Sequence, residues 1–182
     1  MKLKKPRFWD YKKPNFYAYL LYPLSLLFNL INQIKINPKK KFKIKTICIG
    51  NFYVGGTGKT SLSIKIKEIL NKRKIKSCFI KKIYNDQFDE QNILRNKGDL
   101  FLAKKRHEAL QKAENANYDL AILDDGLQDK SIKYDVSIVC FNNINWIGNG
   151  MTFPSGPLRE SLENIKNYKH VFLNGNLENL EF

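Results

Sequence analysis

Short apolar runs alternate along this chain with stretches in which apolar residues recur at the period of a helix. After the first run, Leu62, Ile66, Ile69 and Leu70 are spaced as on one face of a helix, and residues 105–115 also favour a helix. The predicted strands are residues 47–49, 77–80, 99–103, 119–123, 136–141 and 171–174. Strands that alternate with helices indicate an α/β fold with a mainly parallel sheet flanked by helices.

A glycine-rich turn lies between the first predicted strand and the helix at about residues 59–73. Strand, glycine turn, Gly-Lys-Thr and helix is the architecture of a phosphate-binding loop, in which backbone N–H groups, the Lys and the hydroxyl hold phosphates and Mg²⁺. The general pattern has a Gly at position 53, where this chain has Tyr53, and an ordinary glycine turn is the alternative. The expected phosphate-binding residues are Tyr53, Val54, Gly55, Gly56, Thr57, Gly58, Lys59 and Thr60.

An acidic pair, Asp124 and Asp125, ends the apolar run at 119–123. In a parallel sheet, ligands bind at the carboxyl ends of the strands, and Thr60 belongs to the same edge. A carboxylate there can hold Mg²⁺ directly or through water. A solvated Asp-Gly turn is the alternative, because Asp and Gly are ordinary turn residues. We expect a metal site that includes Thr60, Asp124 and Asp125.

The stretch at 82–98 is polar and is expected to be irregular. It ends in Asn96-Lys97-Gly98-Asp99, which matches the guanine-specificity box of GTPases. In those proteins, however, the box follows the metal-binding aspartate, and here it precedes Asp124. The loop variant of partitioning-type ATPases is also disfavoured, because Val54 stands where that variant has a lysine.

The net charge of +15 over 182 residues is concentrated at the amino end, where twelve bases and a single acid, Asp10, precede residue 46. Basic excess favours an anionic membrane surface or nucleic acid. We therefore expect a basic and apolar membrane-associating segment at 1–45 and a nucleotide-binding domain at 46–182. Three isolated cysteines in apolar runs, Cys48, Cys78 and Cys140, are expected to be buried thiols.

Residues 14–31 form the most apolar segment of the chain. Its helical core of about 16 residues is shorter than the ~20 needed to span a bilayer. Aromatic residues near its ends and Lys clusters on its flanks are typical of a helix that lies in the membrane interface. A core helix docked on its own domain is the alternative, and nucleic acid is disfavoured because no groove-reading motif accompanies the lysines.

Six segments of the chain form a set of motifs: residues 5–9, 18–25, 49–51 with 54–60, 124–128, 148–150 and 154–160. In this order, these six motifs resemble the tetraacyldisaccharide 4'-kinase family of the lipid A pathway. The resemblance implies a P-loop kinase that uses ATP and Mg²⁺ to phosphorylate an acylated disaccharide phosphate, giving lipid IVA. It also implies a peripheral location on the cytoplasmic face of the bacterial inner membrane, with an anionic lipid surface as partner and no nucleic acid; no protein partner is inferred.

The resemblance also implies roles for individual residues. Asp89 best matches the acidic box that supplies the catalytic aspartate, with Asp99 as the competing match. Arg159 would neutralise charge in the transition state, and Glu160 would join Thr60 and Asp125 around Mg²⁺ with Asp124 close by. In the family the first loop glycine is commonly absent, which accounts for Tyr53.

The chain also departs from the family pattern. Lys81, Lys82, Ile83 and Tyr84 replace the usual Arg-Gly-Tyr-Gly segment, and Asp129 follows Gln128 where the family usually has His. The chain ends at Phe182, before the carboxyl-terminal lobe whose His partners the catalytic aspartate. We therefore expect these 182 residues alone to bind ATP with Mg²⁺ and membrane but to phosphorylate lipid weakly or not at all. A membrane-associated ATPase or nucleotide switch, or an inactive kinase remnant, is the alternative.

Overall fold

The computed structural model describes residues 5–34, 39–84 and 88–175. Its helices are a 3-10 turn at Arg7–Asp10, α1 (Phe16–Ile34), α2 (Lys59–Lys72), α3 (Phe88–Arg95), α4 (Arg106–Asn115) and a second 3-10 turn at Leu162–Asn167. Its strands are β1 (Lys45–Gly50), β2 (Ser77–Lys82), β3 (Leu100–Ala103), β4 (Leu120–Asp124), β5 (Val136–Asn142) and β6 (His170–Asn174). Each predicted strand and both predicted helices of the α/β pattern are confirmed.

The strands form one sheet in the order β3-β2-β4-β1-β5-β6. The pairs β3–β2, β2–β4, β4–β1 and β1–β5 are all parallel, with Ile49 of β1 opposite Asp124 of β4. The mainly parallel sheet flanked by helices is therefore confirmed. Because the strands are parallel, the residues that follow β1, β2 and β4 meet at one edge of the sheet.

The prediction that residues 82–98 are irregular was wrong, because α3 lies within them. Asp89 and Glu90 lie in its first turn and Arg95 in its last, which suits the helix dipole. The helix buries Gln91 and Leu94, spaced three residues apart. A single buried leucine on a mostly polar helix leaves too weak an apolar period to be recognised in the sequence.

The chain divides into two compact units. The first consists of Met1–Ile36, Asn51–Thr57 and Cys140–Phe182, and the second of Asn37–Gly50 and Gly58–Val139. The second unit, hereafter the sheet unit, holds β1 to β4 with α2, α3 and α4. All three cysteines are buried and free, as expected.

The first unit, hereafter the helix unit, contains α1. The Ser25 hydroxyl donates to the backbone oxygen of Thr152 at 2.9 Å, and the rings of Phe28 and Phe153 meet edge-on. Only Ala18 and Ser25 are buried among the described α1 side chains, whereas the large apolar ones on the rest of the helix are mostly exposed. Within the described residues, no helix has the length and apolarity that crossing a membrane requires.

Candidate nucleotide site

The start of α2 and the end of β4 lie at the same edge of the sheet unit. Gly58 precedes α2 with a φ of 82°, in the left-handed region that favours glycine. Its carbonyl accepts the first helical hydrogen bond, from the backbone N–H of Leu62 at 3.0 Å. Lys59 and Thr60 are therefore the first two residues of the helix, where backbone N–H groups and the helix dipole favour an anion.

Lys59 lies beside Asp125. Its ammonium nitrogen is 3.6 Å from Oδ1 of Asp125, and the two side chains are only 13% and 14% exposed. Asp125 has a φ of 58°, and its backbone N–H donates to Ile49 of β1 at 2.8 Å. This turn holds the Asp125 carboxylate close to the amino end of α2.

Asp124 has a different environment from its neighbour. It is fully buried, and its Oδ2 accepts from the Lys81 ammonium at 2.6 Å. Its Oδ1 faces the hydroxyl of Ser63 on α2 at 3.4 Å. Burial lowers the pKa of Lys81, but Asp124 and Glu90 raise it more, so the net shift is upward and the lysine is charged.

The helix unit holds the loop residues Asn51–Thr57. The Asn51 side chain donates to the carbonyl of Gly55 at 3.0 Å, and the Asn142 side chain donates to the carbonyl of Gly56 at 2.8 Å. Both loop carbonyls are thus bound to protein amides. This arrangement suits an anion-binding loop, because a carbonyl turned towards a phosphate would repel it. Sequence reasoning assigned no role to either asparagine.

Two residues of the loop, Tyr53 and Thr57, are buried. The Tyr53 ring is buried below Gly55, whose φ is 152°, and a Cβ at Gly55 would come 3.2 Å from that ring. The Thr57 hydroxyl is buried and has no hydrogen-bond partner among the described residues. An orphaned buried hydroxyl inside a glycine loop fits a phosphate oxygen, because a buried polar group without a partner is costly.

Arg159 and Glu160 belong to the helix unit and lie in the loop between β5 and the second 3-10 turn. The backbone N–H of Arg159 donates to Phe52 at 2.7 Å. The Glu160 carboxylate accepts from the Tyr168 hydroxyl at 2.9 Å and from the Asn164 amide at 3.1 Å. These contacts hold the backbone of Arg159 and the side chain of Glu160 in place. The roles of the two residues in metal binding and phosphate transfer stay predictions.

Asp89 and Asp99 lie at opposite edges of the sheet, one beyond the carboxyl ends of the strands and the other at their amino ends. Asp89 lies exposed in the first turn of α3, after the carboxyl end of β2. Asp99 directly precedes β3, so it lies at the amino edge, and its carboxylate accepts from Tyr118 at 2.7 Å. Because Lys59 and Asp125 are at the carboxyl edge, the geometry favours Asp89 over Asp99 as the candidate base.

Among the described residues, no three His, Cys, Asp or Glu side chains are clustered as a preformed metal site. Mg²⁺ does not need one, since it is commonly held by one or two carboxylates together with phosphates and water. Asp125 and the hydroxyl of Thr60 have the right chemistry for this. Asp124 is less suited to bind Mg²⁺, because both of its carboxylate oxygens already face protein groups.

A parallel α/β sheet with a glycine loop, a lysine at the start of a helix and an acidic pair after a strand defines the phosphate-loop class of proteins. The family model described as tetraacyldisaccharide-1-P 4'-kinase matches residues 17–99 and 89–181. The chain belongs to this family, so the resemblance given by the sequence motifs is confirmed.

The chain is 62% identical over 181 residues to a tetraacyldisaccharide 4'-kinase of Pelagibacter ubique, covering 99% of this chain and 58% of that protein. It is 32% identical to that of Rickettsia canadensis, covering 88% of this chain and 54% of the relative. A crystal structure of LpxK from Aquifex aeolicus in complex with ATP superposes with a TM-score of 0.75 at 22% identity, covering 91% of this chain and 61% of the other. The chain thus spans somewhat more than half of the relatives it matches.

Proposed function

We propose that this chain provides the nucleotide-binding part of a kinase that transfers the γ-phosphate of ATP to the 4'-hydroxyl of a tetraacyldisaccharide 1-phosphate. The names of its relatives and the ATP in the Aquifex crystal structure support this proposal. The observation that carries it is the proximity of Lys59 to Asp125, 3.6 Å apart at the carboxyl edge of the sheet. That edge is where doubly wound α/β proteins bind their ligands.

The loop would hold the phosphates through backbone N–H groups, because its Gly55 and Gly56 carbonyls are bound to asparagine amides. Lys59 would contact the β- and γ-phosphates as a point charge. The buried Thr57 hydroxyl would gain a phosphate oxygen as its partner. Phosphate binding would therefore satisfy a polar group that the protein alone leaves unpaired.

Asp125 and Thr60 would hold Mg²⁺, and Glu160 is proposed as a further ligand. The metal, when bound, would neutralise negative charge on the β- and γ-phosphates. Lys59 would then be shared between Asp125 and the nucleotide, which suits a contact of 3.6 Å rather than a tight ion pair.

In the transfer, a bond forms between the sugar 4'-oxygen and the γ-phosphorus while the bond to the β,γ-bridging oxygen breaks. The hydroxyl proton moves to a base, and ADP leaves. Asp89 is the proposed base because it is exposed at the correct edge of the sheet. Arg159 is proposed to neutralise charge on the transferring group. Most of the acceleration would come from positioning and charge neutralisation.

The substrate proposed here is a lipid, and α1 offers a surface for it. Side chains such as Phe16, Leu20 and Leu27 are 74%, 65% and 55% exposed. Exposed apolar surface of this kind marks a contact with a membrane or a partner. We propose that α1 lies in the interface of an anionic membrane at the cytoplasmic face of the bacterial inner membrane, where the basic residues that flank it reinforce binding. Lys2, Lys4 and Lys35 of those flanks lie outside the described residues.

The proposal is tested with ATP labelled at the γ-phosphate and a tetraacyldisaccharide 1-phosphate acceptor in mixed micelles. This chain is assayed alone and as a chimera in which it replaces the aligned 181 residues of the Pelagibacter ubique kinase. The expected result is Mg²⁺-dependent label in the lipid for the chimera, and none when Lys59 is changed to Ala.

Two outcomes would contradict the proposal. Label found only in inorganic phosphate would indicate an ATPase or nucleotide switch that transfers nothing to lipid. Absence of ATP binding by both the chain and the chimera would reject the nucleotide site itself.

A further inference from the structure

Lys81 is a buried lysine with two carboxylate partners. It lies in β2 and is 1% exposed, and its ammonium nitrogen is 2.6 Å from Asp124 and 2.6 Å from Glu90. These partners come from the end of β4 and the first turn of α3. The lysine therefore joins the acidic pair predicted to bind metal to the helix that carries Asp89.

A buried ammonium is tolerated only when it is paired and hydrogen-bonded, since an isolated buried charge is very costly. Asp124 is completely buried, whereas Glu90 is half exposed. Lys81 and Asp124 therefore need each other more than Lys81 needs Glu90, because water reaches neither of the two groups and cannot screen its charge. A divalent cation placed against Oδ2 of Asp124 would have to displace the lysine.

We propose that Lys81 is a built-in cation, occupying at Asp124 the place that a divalent cation would otherwise take. Asp125, which lies beside Lys59, is then the carboxylate of the pair that faces Mg²⁺. Asp124 acts through Lys81 and Glu90 as a positioning residue for α3 and thus for Asp89. Only the identity of the cation at Asp125 rests on the proposed function.

The test measures thermal unfolding of the chain without nucleotide, with and without MgCl2. In Lys81→Met, Asp124 loses its buried partner, so the midpoint should fall in metal-free buffer. Mg²⁺ should then stabilise this variant, with an apparent affinity at least about tenfold tighter than for wild type. Lys81→Arg, which keeps the charge, should respond to Mg²⁺ as wild type does.

Lys67→Met is the matched control. Lys67 is also buried, at 7% exposed, but its ammonium group bonds to the backbone oxygen and hydroxyl of Ser77. Ser77 begins β2, so this lysine lies at the amino edge of the sheet. Its loss should lower the midpoint without changing the response to Mg²⁺.

The double variant Lys81→Met/Asp124→Asn removes both charges and should lose the added Mg²⁺ response while regaining stability over Lys81→Met. Should Lys81→Met not fold in metal-free buffer, folding on addition of MgCl2 supports the proposal, and failure to fold at any Mg²⁺ concentration overturns it. Equal Mg²⁺ responses in wild type and Lys81→Met also overturn it. No nucleotide is present, so a failure of ATP binding in separate experiments would leave this result unaffected.

Discussion

The hydroxyl of Tyr53 donates a hydrogen bond to the carboxylate of Asp10. Lys5 completes the cluster, with its ammonium nitrogen 2.8 Å from the Tyr53 hydroxyl and 2.7 Å from Asp10. The position where most phosphate loops have a glycine is thus used here to attach the segment that precedes α1. Within the helix unit, the loop and the amino-terminal segment are therefore held together by charge-assisted hydrogen bonds.

Tyr53→Phe removes this link and keeps the ring below Gly55. We expect the free energy of unfolding to fall by about 1 kcal/mol, the usual contribution of one hydrogen bond. Urea denaturation measures it. Tyr11→Phe is the matched control, because Tyr11 is 50% exposed and its hydroxyl is not part of the cluster. An equal loss in both variants would contradict a specific role for Tyr53.

The difference in stability between wild type and Tyr53→Phe should depend on pH through Asp10. Burial raises the pKa of Asp10, but hydrogen bonds from Lys5 and Tyr53 lower it more, so it lies below its ordinary value of 3.8. When folding lowers the pKa of a carboxyl group, the charged group stabilises the folded state fully above the pKa of the unfolded state. This stabilisation is lost as the pH falls through the pKa of the folded state. The part of the difference between wild type and Tyr53→Phe that depends on the Asp10 charge should therefore be full at pH 7, begin to fall near pH 3.8 and be lost at lower pH, as the folded protein passes through its lowered Asp10 pKa.

The parts of the candidate site that are local in the chain can be located from the sequence. Strand, glycine turn, Lys59 and helix follow one another directly, and Asp124 and Asp125 end an apolar strand, so short-range patterns suffice to locate them. The bond from Asn142 to Gly56 and the pair Lys81–Asp124 join positions far apart in the chain. Such partners depend on how strands are ordered in the sheet, which local patterns do not specify.

Asp89→Asn tests the proposed base in the Pelagibacter chimera. Loss of the proton acceptor should lower the rate of lipid phosphorylation by about 10²–10⁴-fold, while ATP affinity stays nearly unchanged. Asp99→Asn is the control, since Asp99 lies at the opposite edge of the sheet and bonds to Tyr118. Rate loss in Asp99→Asn but not in Asp89→Asn would show that the base has been assigned to the wrong edge.

Leu20→Asp tests the exposed face of α1. The chain should bind anionic vesicles less tightly, because one buried leucine contributes about 1.5–3 kcal/mol. Flotation or cosedimentation with vesicles measures the bound fraction. Ile144→Asp is the matched control, because Ile144 is even more exposed, at 85%, but lies outside α1. Equal binding by wild type and Leu20→Asp would exclude this face from the membrane interface. In a separate measurement, added salt should weaken binding of the wild-type chain to the vesicles.

The proposed contact between Lys59 and the phosphates of ATP is tested by calorimetric titration of the chain with a non-hydrolysable ATP analogue and Mg²⁺. Lys59→Ala should lose about 1.5–3 kcal/mol of binding free energy, as expected for a hydrogen bond to a charged group. Lys65→Ala, on the same helix but exposed and paired with Glu68, should bind as wild type does. Equal affinities for wild type and Lys59→Ala would show that Lys59 does not contact the phosphates.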